Sequence, residues 1–134
     1  MQYDSILFLN GSSKKDVLEE IISHASTRCT MDEEQIRDVV WKRERMMTTG
    51  VGKGLALPHI RVNGFPSPLV IVGICKKEIA DYQSIDNNPV KLVIFLAADE
   101  KDQEGYLSLL GSISSKMKED GVIEKIFEFG EDRD

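Results

Sequence analysis

The chain of 134 residues has two cysteines, two histidines, one tryptophan and no long apolar run. Cys29 and Cys75 form no metal-ligand or redox spacing, so two reduced, partly buried thiols are expected rather than a disulfide. His24 and His59 fit neither HExxH nor any related spacing, and a histidine metal site would need both plus a carboxylate. No metal and no cofactor is therefore expected. The longest apolar stretches, 69-LVIVGIC-75 and 92-LVIFLAA-98, fall far short of the roughly 20 residues that cross a bilayer, and they read as buried strands. The start MQYDSILFLN has neither the basic opening nor the long apolar stretch of a signal peptide, so a cytoplasmic location without membrane insertion is expected. A formal net charge of −6 argues against nucleic-acid binding, which needs a basic surface to release counterions.

The length suits one domain with one hydrophobic core, and a hydrophobic share of 41% with 30% charged residues is ordinary for a globular protein. The charge is unevenly spread. Between Lys42 and Arg61 five basic residues (Lys42, Arg43, Arg45, Lys53, Arg61) face one acid (Glu44), a local +4 that leaves −10 for the rest. Such an island suits a small anion or an acidic patch on a partner, and equally a chance cluster on a solvated surface.

The segment 12-SSKKDVLEEIISHASTR-28 reads as a serine-capped helix with Val17, Leu18, Ile21, Ile22, Ala25 and Cys29 on its buried face. A capping box in 30-TMDE-33, Thr30 with Glu33, opens a second helix to about Met46, with Ile36, Val39, Val40 and Met47 apolar and Trp41 a packed boundary aromatic. Glycines 50, 52 and 54 break the helix, and 55-LAL-57 looks like a short strand that stops at Pro58, leaving His59 at a strand end. Turn signals in 63-NGFPSP-68 precede the strand 69–75, and a looser stretch, 76–89, leads to the strand 90–97. A polar loop then enters a helix striped by Tyr106, Leu109, Leu110, Ile113 and Met117. A short helix over 121–129 closes the chain, with a fraying tail at 130–134. The fold class expected is α/β: a mixed β-sheet flanked by helices on both faces, in a single domain over 1–134.

The glycine-rich 50-GVGKG-54 is neither GxxxxGK[ST] nor GxGxxG. Its glycines suit either backbone amides brought close to His59 for an anion or simply a tight turn into a strand. No GxSxG motif is present and no acid lies near His59 in sequence, which lowers a hydrolase reading. His24, at the edge of its helix's apolar face, reads as half-buried and structural. His59 is different: a neutral imidazole is a good nucleophile near pH 7, and a phosphoryl adduct would find Arg43, Arg61 or backbone amides to balance its charge.

The stretch 43-RERMMTTGVGKGLALPH-59 resembles the active-site signature of the fructose/mannitol-type IIA domains of the bacterial phosphoenolpyruvate-dependent sugar phosphotransferase system, including their nitrogen-regulatory relatives. The matching residues are Arg43 and Glu44, Thr49 and Gly50, Gly52 and Gly54, then Ala56, Leu57, Pro58 and His59. The stretch 85–114 resembles the family's second region, so the likeness runs through nearly the whole chain. The resemblance implies a phosphocarrier in which a small histidine-phosphorylated, HPr-like protein donates to His59, which passes the group to a IIB domain or holds it as a regulatory mark. It implies Arg43, Thr49 and Tyr106 as supporting residues, with Arg43 matching the residue that supports the phosphohistidine.

Two departures stand out. Tyr106, before Leu107, occupies the place of a second family histidine, either as a phosphate hydrogen-bond donor or as an aromatic on an apolar stripe. Ile60 and Lys53 replace a small residue and an asparagine; Ile60 restricts access or packs inward, and Lys53 adds charge suited to phosphate. The missing histidine motivates an alternative, a regulatory module that binds a kinase, transporter or transcription factor without onward transfer.

Overall fold

Strands that are apolar on both faces need cover on both, and among the described residues four helices supply it. The computed structural model describes residues 4–63, 65 and 67–131. In chain order its elements are β1 (Ser5–Leu9), α1 (Lys14–Ser26), α2 (Glu33–Met46), β2 (Gly50–Gly52), β3 (Leu55–Ala56), β4 (His59–Val62), β5 (Leu69–Ile79), β6 (Val90–Asp99), α3 (Gln103–Met117) and α4 (Val122–Glu131). Among the described residues the strands form one mixed six-stranded sheet in the order β1-β5-β6-β3-β2, with β4 also paired to β6. β5 and β6 pair antiparallel at the centre, while β1 joins β5, and β3 and β4 join β6, in parallel. The mixed sheet with helices on both faces is the architecture expected from the sequence.

Alternation along the two central strands divides the core. Ile71, Cys75, Val93, Phe95 and Ala97 face α1 and α2, where Val17, Leu18, Ile21, Ile22 and Ile36 complete one apolar layer. Val70, Val72, Ile74, Leu92, Ile94, Leu96 and Ala98 face α3 and α4, meeting Tyr106, Ile113, Met117 and Ile123. A one-residue slip of either central strand would exchange these two sets, so the register is strongly fixed.

Several boundaries differ from expectation. Ser13 caps α1 by accepting from the Asp16 amide, as the serine-rich start suggested. The capping box of α2 is Asp32 with Gln35, not Thr30 with Glu33: the helix starts at Glu33, Asp32 accepts from the Gln35 amide at 2.8 Å, and the Gln35 side chain accepts from the Asp32 amide at 3.1 Å. Met47 is 68% exposed and takes no part in the apolar side of α2, since the helix has already ended in an extended residue there. β5 runs four residues further than the apolar run that announced it, into Lys76–Ile79, because its last turn of pairing places Ile79 against Val90. The expected turn at 63–68 includes residues 64 and 66, and the expected tail includes 132–134; these lie outside the described residues. Among the described residues no helix is long and apolar enough to cross a membrane.

Candidate functional site

β3 and β4 pair with β6 at the same offset: Leu55 opposite Leu92, Ala56 opposite Val93 and His59 opposite Leu96. They are in effect one parallel strand interrupted at Leu57–Pro58. Pro58 has no amide hydrogen, so the ladder breaks there. The Leu57 amide turns to the Thr49 carbonyl at 2.8 Å instead, and the Pro58 carbonyl still accepts from the Leu96 amide at 3.0 Å. The Leu57 carbonyl meets His59 Nδ1 at 2.7 Å. A carbonyl oxygen only accepts, so Nδ1 carries the proton and the lone pair of the neutral ring lies on Nε2. Among the described residues Nε2 has no hydrogen-bond partner, and the residue is half-buried.

The electrostatics favour that neutral ring. His59 lies below its ordinary pKa of 6.5, first because of burial; Arg43 lowers it further, while the Leu57 carbonyl and Glu44 pull the other way. The His59 and Tyr106 ring centroids are 6.0 Å apart, and the guanidinium carbon of Arg61 lies 5.3 Å from the Tyr106 centroid. Burial raises the Tyr106 phenol, against the opposing pull of Arg61 and Arg43. Arg43 is anchored by Nη1 donating to the Met47 carbonyl at 2.9 Å, and Arg61 by Nη2 donating to the Glu100 carbonyl at 2.8 Å. The structure therefore brings Arg43, His59, Arg61 and Tyr106 together from three elements.

Thr49 lies behind them, 1% exposed. Its hydroxyl donates to Glu44 Oε1 and meets the Tyr82 hydroxyl at 2.6 Å; Tyr82 also donates to Glu44 Oε1 at 3.2 Å. Lys14 Nζ stands 2.8 Å from Glu44 Oε2 and 4.8 Å from the Tyr82 ring centre, a contact of charge rather than of a directed hydrogen bond. Burial first, and then the Glu44 carboxylate, hold the Tyr82 phenol well above its ordinary pKa. Thr49 thus joins this buried group to His59 through backbone: Thr49 carbonyl, Leu57 amide, Leu57 carbonyl, His59 Nδ1. Sequence reasoning paired Glu44 with Arg43 but gave no role to Lys14 or Tyr82. The signal available was a basic residue near a helix start and a lone tyrosine in a polar stretch, too weak to join without coordinates.

The glycines do not surround His59. They build a hairpin, β2 and β3, whose two turn residues Lys53 and Gly54 have φ of 58° and 86°, the left-handed backbone a tight two-residue turn requires. Gly54 lies beside Lys91 and Leu92, four residues along β6 from Leu96, or about 13 Å at strand spacing. Of the two readings of the glycine run, the structure builds the tight turn at Lys53 and Gly54, and Lys53 turns away from His59, its Nζ donating to the Lys118 carbonyl at 3.3 Å. Ile60 is 3% exposed and packs inward. His24 is half-buried, and Trp41 packs at the core edge while its indole donates to Glu19 at 3.1 Å. Both thiols are free, and burial pushes Cys75 up to about 12.

Comparison with known proteins adds a context for this geometry. The family model described as "Phosphoenolpyruvate-dependent sugar phosphotransferase system, EIIA 2" matches residues 1–134. A nitrogen regulatory protein of Pseudomonas aeruginosa is 31% identical over 123 residues, covering 91% of this chain and 79% of that one. The fructose-specific EIIABC component of the same transport system in Bacillus subtilis is 25% identical over 123 residues, again 91% of this chain but 19% of the relative's length. Among solved structures, the nitrogen regulatory protein IIA-Ntr of Neisseria meningitidis superposes with a TM-score of 0.84 at 22% identity, over 92% of this chain and 84% of that one. The IIAMTL–phosphorylated IIBMTL complex of Escherichia coli gives 0.70 at 16%, over 91% and 83%. These two likenesses are of fold.

Proposed function

The chain belongs to the EIIA 2 family of the phosphoenolpyruvate-dependent sugar phosphotransferase system, and on that premise we propose that it is a histidine phosphocarrier acting through Nε2 of His59. The observation that carries the reading is the Nδ1–Leu57 carbonyl bond of 2.7 Å, which aims the lone pair of a neutral imidazole away from the backbone. In the proposed step the Nε2 lone pair forms the new P–N bond as the donor histidine's P–N bond breaks, and that electron pair returns to the donor ring. No proton need move: each ring keeps its own, and the positive charge passes with the phosphoryl group from donor to acceptor. The Leu57 carbonyl then bears on the charged ring, and Arg43 supplies a cation near the phosphoryl oxygens. Thr49 supports the site from behind through the Leu57 amide, and Tyr106 from the facing helix.

The donor proposed is a small histidine-phosphorylated, HPr-like protein, and the acceptor is a IIB domain or a regulatory target. The IIA–phosphorylated IIB complex among the structural neighbours supports a partner of that kind. A location in the cytoplasm fits such partners. The test is transfer: the chain is phosphorylated by an HPr-like carrier, isolated, and mixed with IIB domains. Passage of the label to a IIB domain is expected, and its absence from His59→Gln. A stable label on His59 that no IIB domain accepts would favour the regulatory module instead.

A further inference from the structure

His59 and Arg61 stand two residues apart on β4, so their side chains leave the same face of the sheet, about 7 Å apart at the backbone. Both end against one residue of α3. The Tyr106 ring lies 6.0 Å from the imidazole and 5.3 Å from the guanidinium carbon, centre to centre. That ring is 6% exposed and fixed in the core layer beneath α3. Arg61 is an exposed side chain, of the kind that samples many rotamers at little cost. Here it is held twice, by the aromatic face and by the Glu100 carbonyl at 2.8 Å. The Glu100 bond uses one of five guanidinium N–H groups, and the others stay available to an anion.

We propose that Arg61 binds the phosphoryl group on His59 together with Arg43, and that Tyr106 acts through its ring, as the platform that positions Arg61, rather than through its hydroxyl. The inference rests on the phosphocarrier reading and adds which groups hold the adduct. The phosphorylated ring carries one positive charge and leaves part of the phosphoryl dianion unbalanced, and a guanidinium locked beside it balances the remainder without losing rotamer freedom at the moment of transfer. Electrostatics agree with the geometry, for Arg61 and Arg43 both act on the Tyr106 phenol.

The test is the equilibrium partition of the phosphoryl group between an HPr-like carrier and the full chain, read by intact mass in wild type, Arg61→Gln, Tyr106→Phe and Tyr106→Leu. An equilibrium is chosen because weaker docking slows exchange without moving its end point. Arg61→Gln and Tyr106→Leu are expected to shift the partition about tenfold toward the donor, the scale of one charge-assisted hydrogen bond. Tyr106→Phe, which keeps the ring, stays within about twofold of wild type. Arg61→Gln is a change at an exposed position, and Tyr106→Leu keeps an apolar side chain in the core, so folding is expected to survive both; circular dichroism checks it. An unchanged partition in Arg61→Gln, or a Tyr106→Phe shift as large as that of Tyr106→Leu, overturns the pairing while leaving the carrier reading in place. A wild-type chain that takes no phosphoryl group at all overturns the carrier reading and this inference with it.

Discussion

His59 is half-buried, and that burial is the first cause that holds its pKa below 6.5. A histidine lowered in this way contributes stability that is full above its unfolded value, and that stability is lost as pH falls through the lowered folded value. Urea unfolding midpoints of wild type should therefore drop between pH 7.5 and pH 5 by more than those of His59→Gln. An equal drop in both would show that His59 gains no such burial. The same residue shows what could be read beforehand. A proline before a lone histidine, with arginines at 43 and 61, marked the position from sequence alone. The tautomer was not legible, because it depends on where the Leu57 carbonyl points once Pro58 has broken the ladder.

The helices hold this site through a contact that spans the chain. Lys14 on the first turn of α1 neutralises Glu44 on the last turn of α2, and Glu44 in turn receives hydrogen bonds from Thr49 and Tyr82. The Glu44 side chain is 2% exposed and that of Lys14 is 18% exposed, so removing the cation leaves an uncompensated buried charge. Lys14→Met is expected to lose about 3 kcal/mol of stability. Adding Glu44→Gln to it should recover part of that loss, because the stranded charge is then gone; two losses that simply add in a double-mutant cycle would refute the pairing. Helical periodicity found α1, α2, α3 and α4, since each buries a stripe. It did not find β2, whose three residues carry two glycines and read as a helix breaker until the hairpin closes on β3. The Lys14–Glu44–Tyr82 group was equally illegible, because its members lie 30 and 38 positions apart and meet only after α1 packs on α2.

The fold as a unit explains why one strand break becomes a site. The sheet is covered on both faces, and its buried central pair β5 and β6 fixes the register that places His59 opposite Leu96 and beneath α3. Two continuous apolar runs between helices at both ends of the chain were enough to expect a sheet covered by helices, because an unbroken apolar strand is a local property of sequence. The local charge of +4 was also visible, but its division was not: Arg43 and Arg61 gather at His59 while Lys53 is carried to the far end of β6. The central claim is that this architecture presents Nε2 of His59 as a phosphoryl acceptor. Its most direct test is to phosphorylate the chain with phosphoenolpyruvate, enzyme I and an HPr-like carrier, and then locate the added mass of about 80 Da by peptide mass spectrometry and its ring nitrogen by NMR. An acid-labile group on Nε2 of His59, absent from His59→Gln, is the predicted result. Attachment at Nδ1 or at any other residue, or no gain of mass in a folded chain, would contradict it.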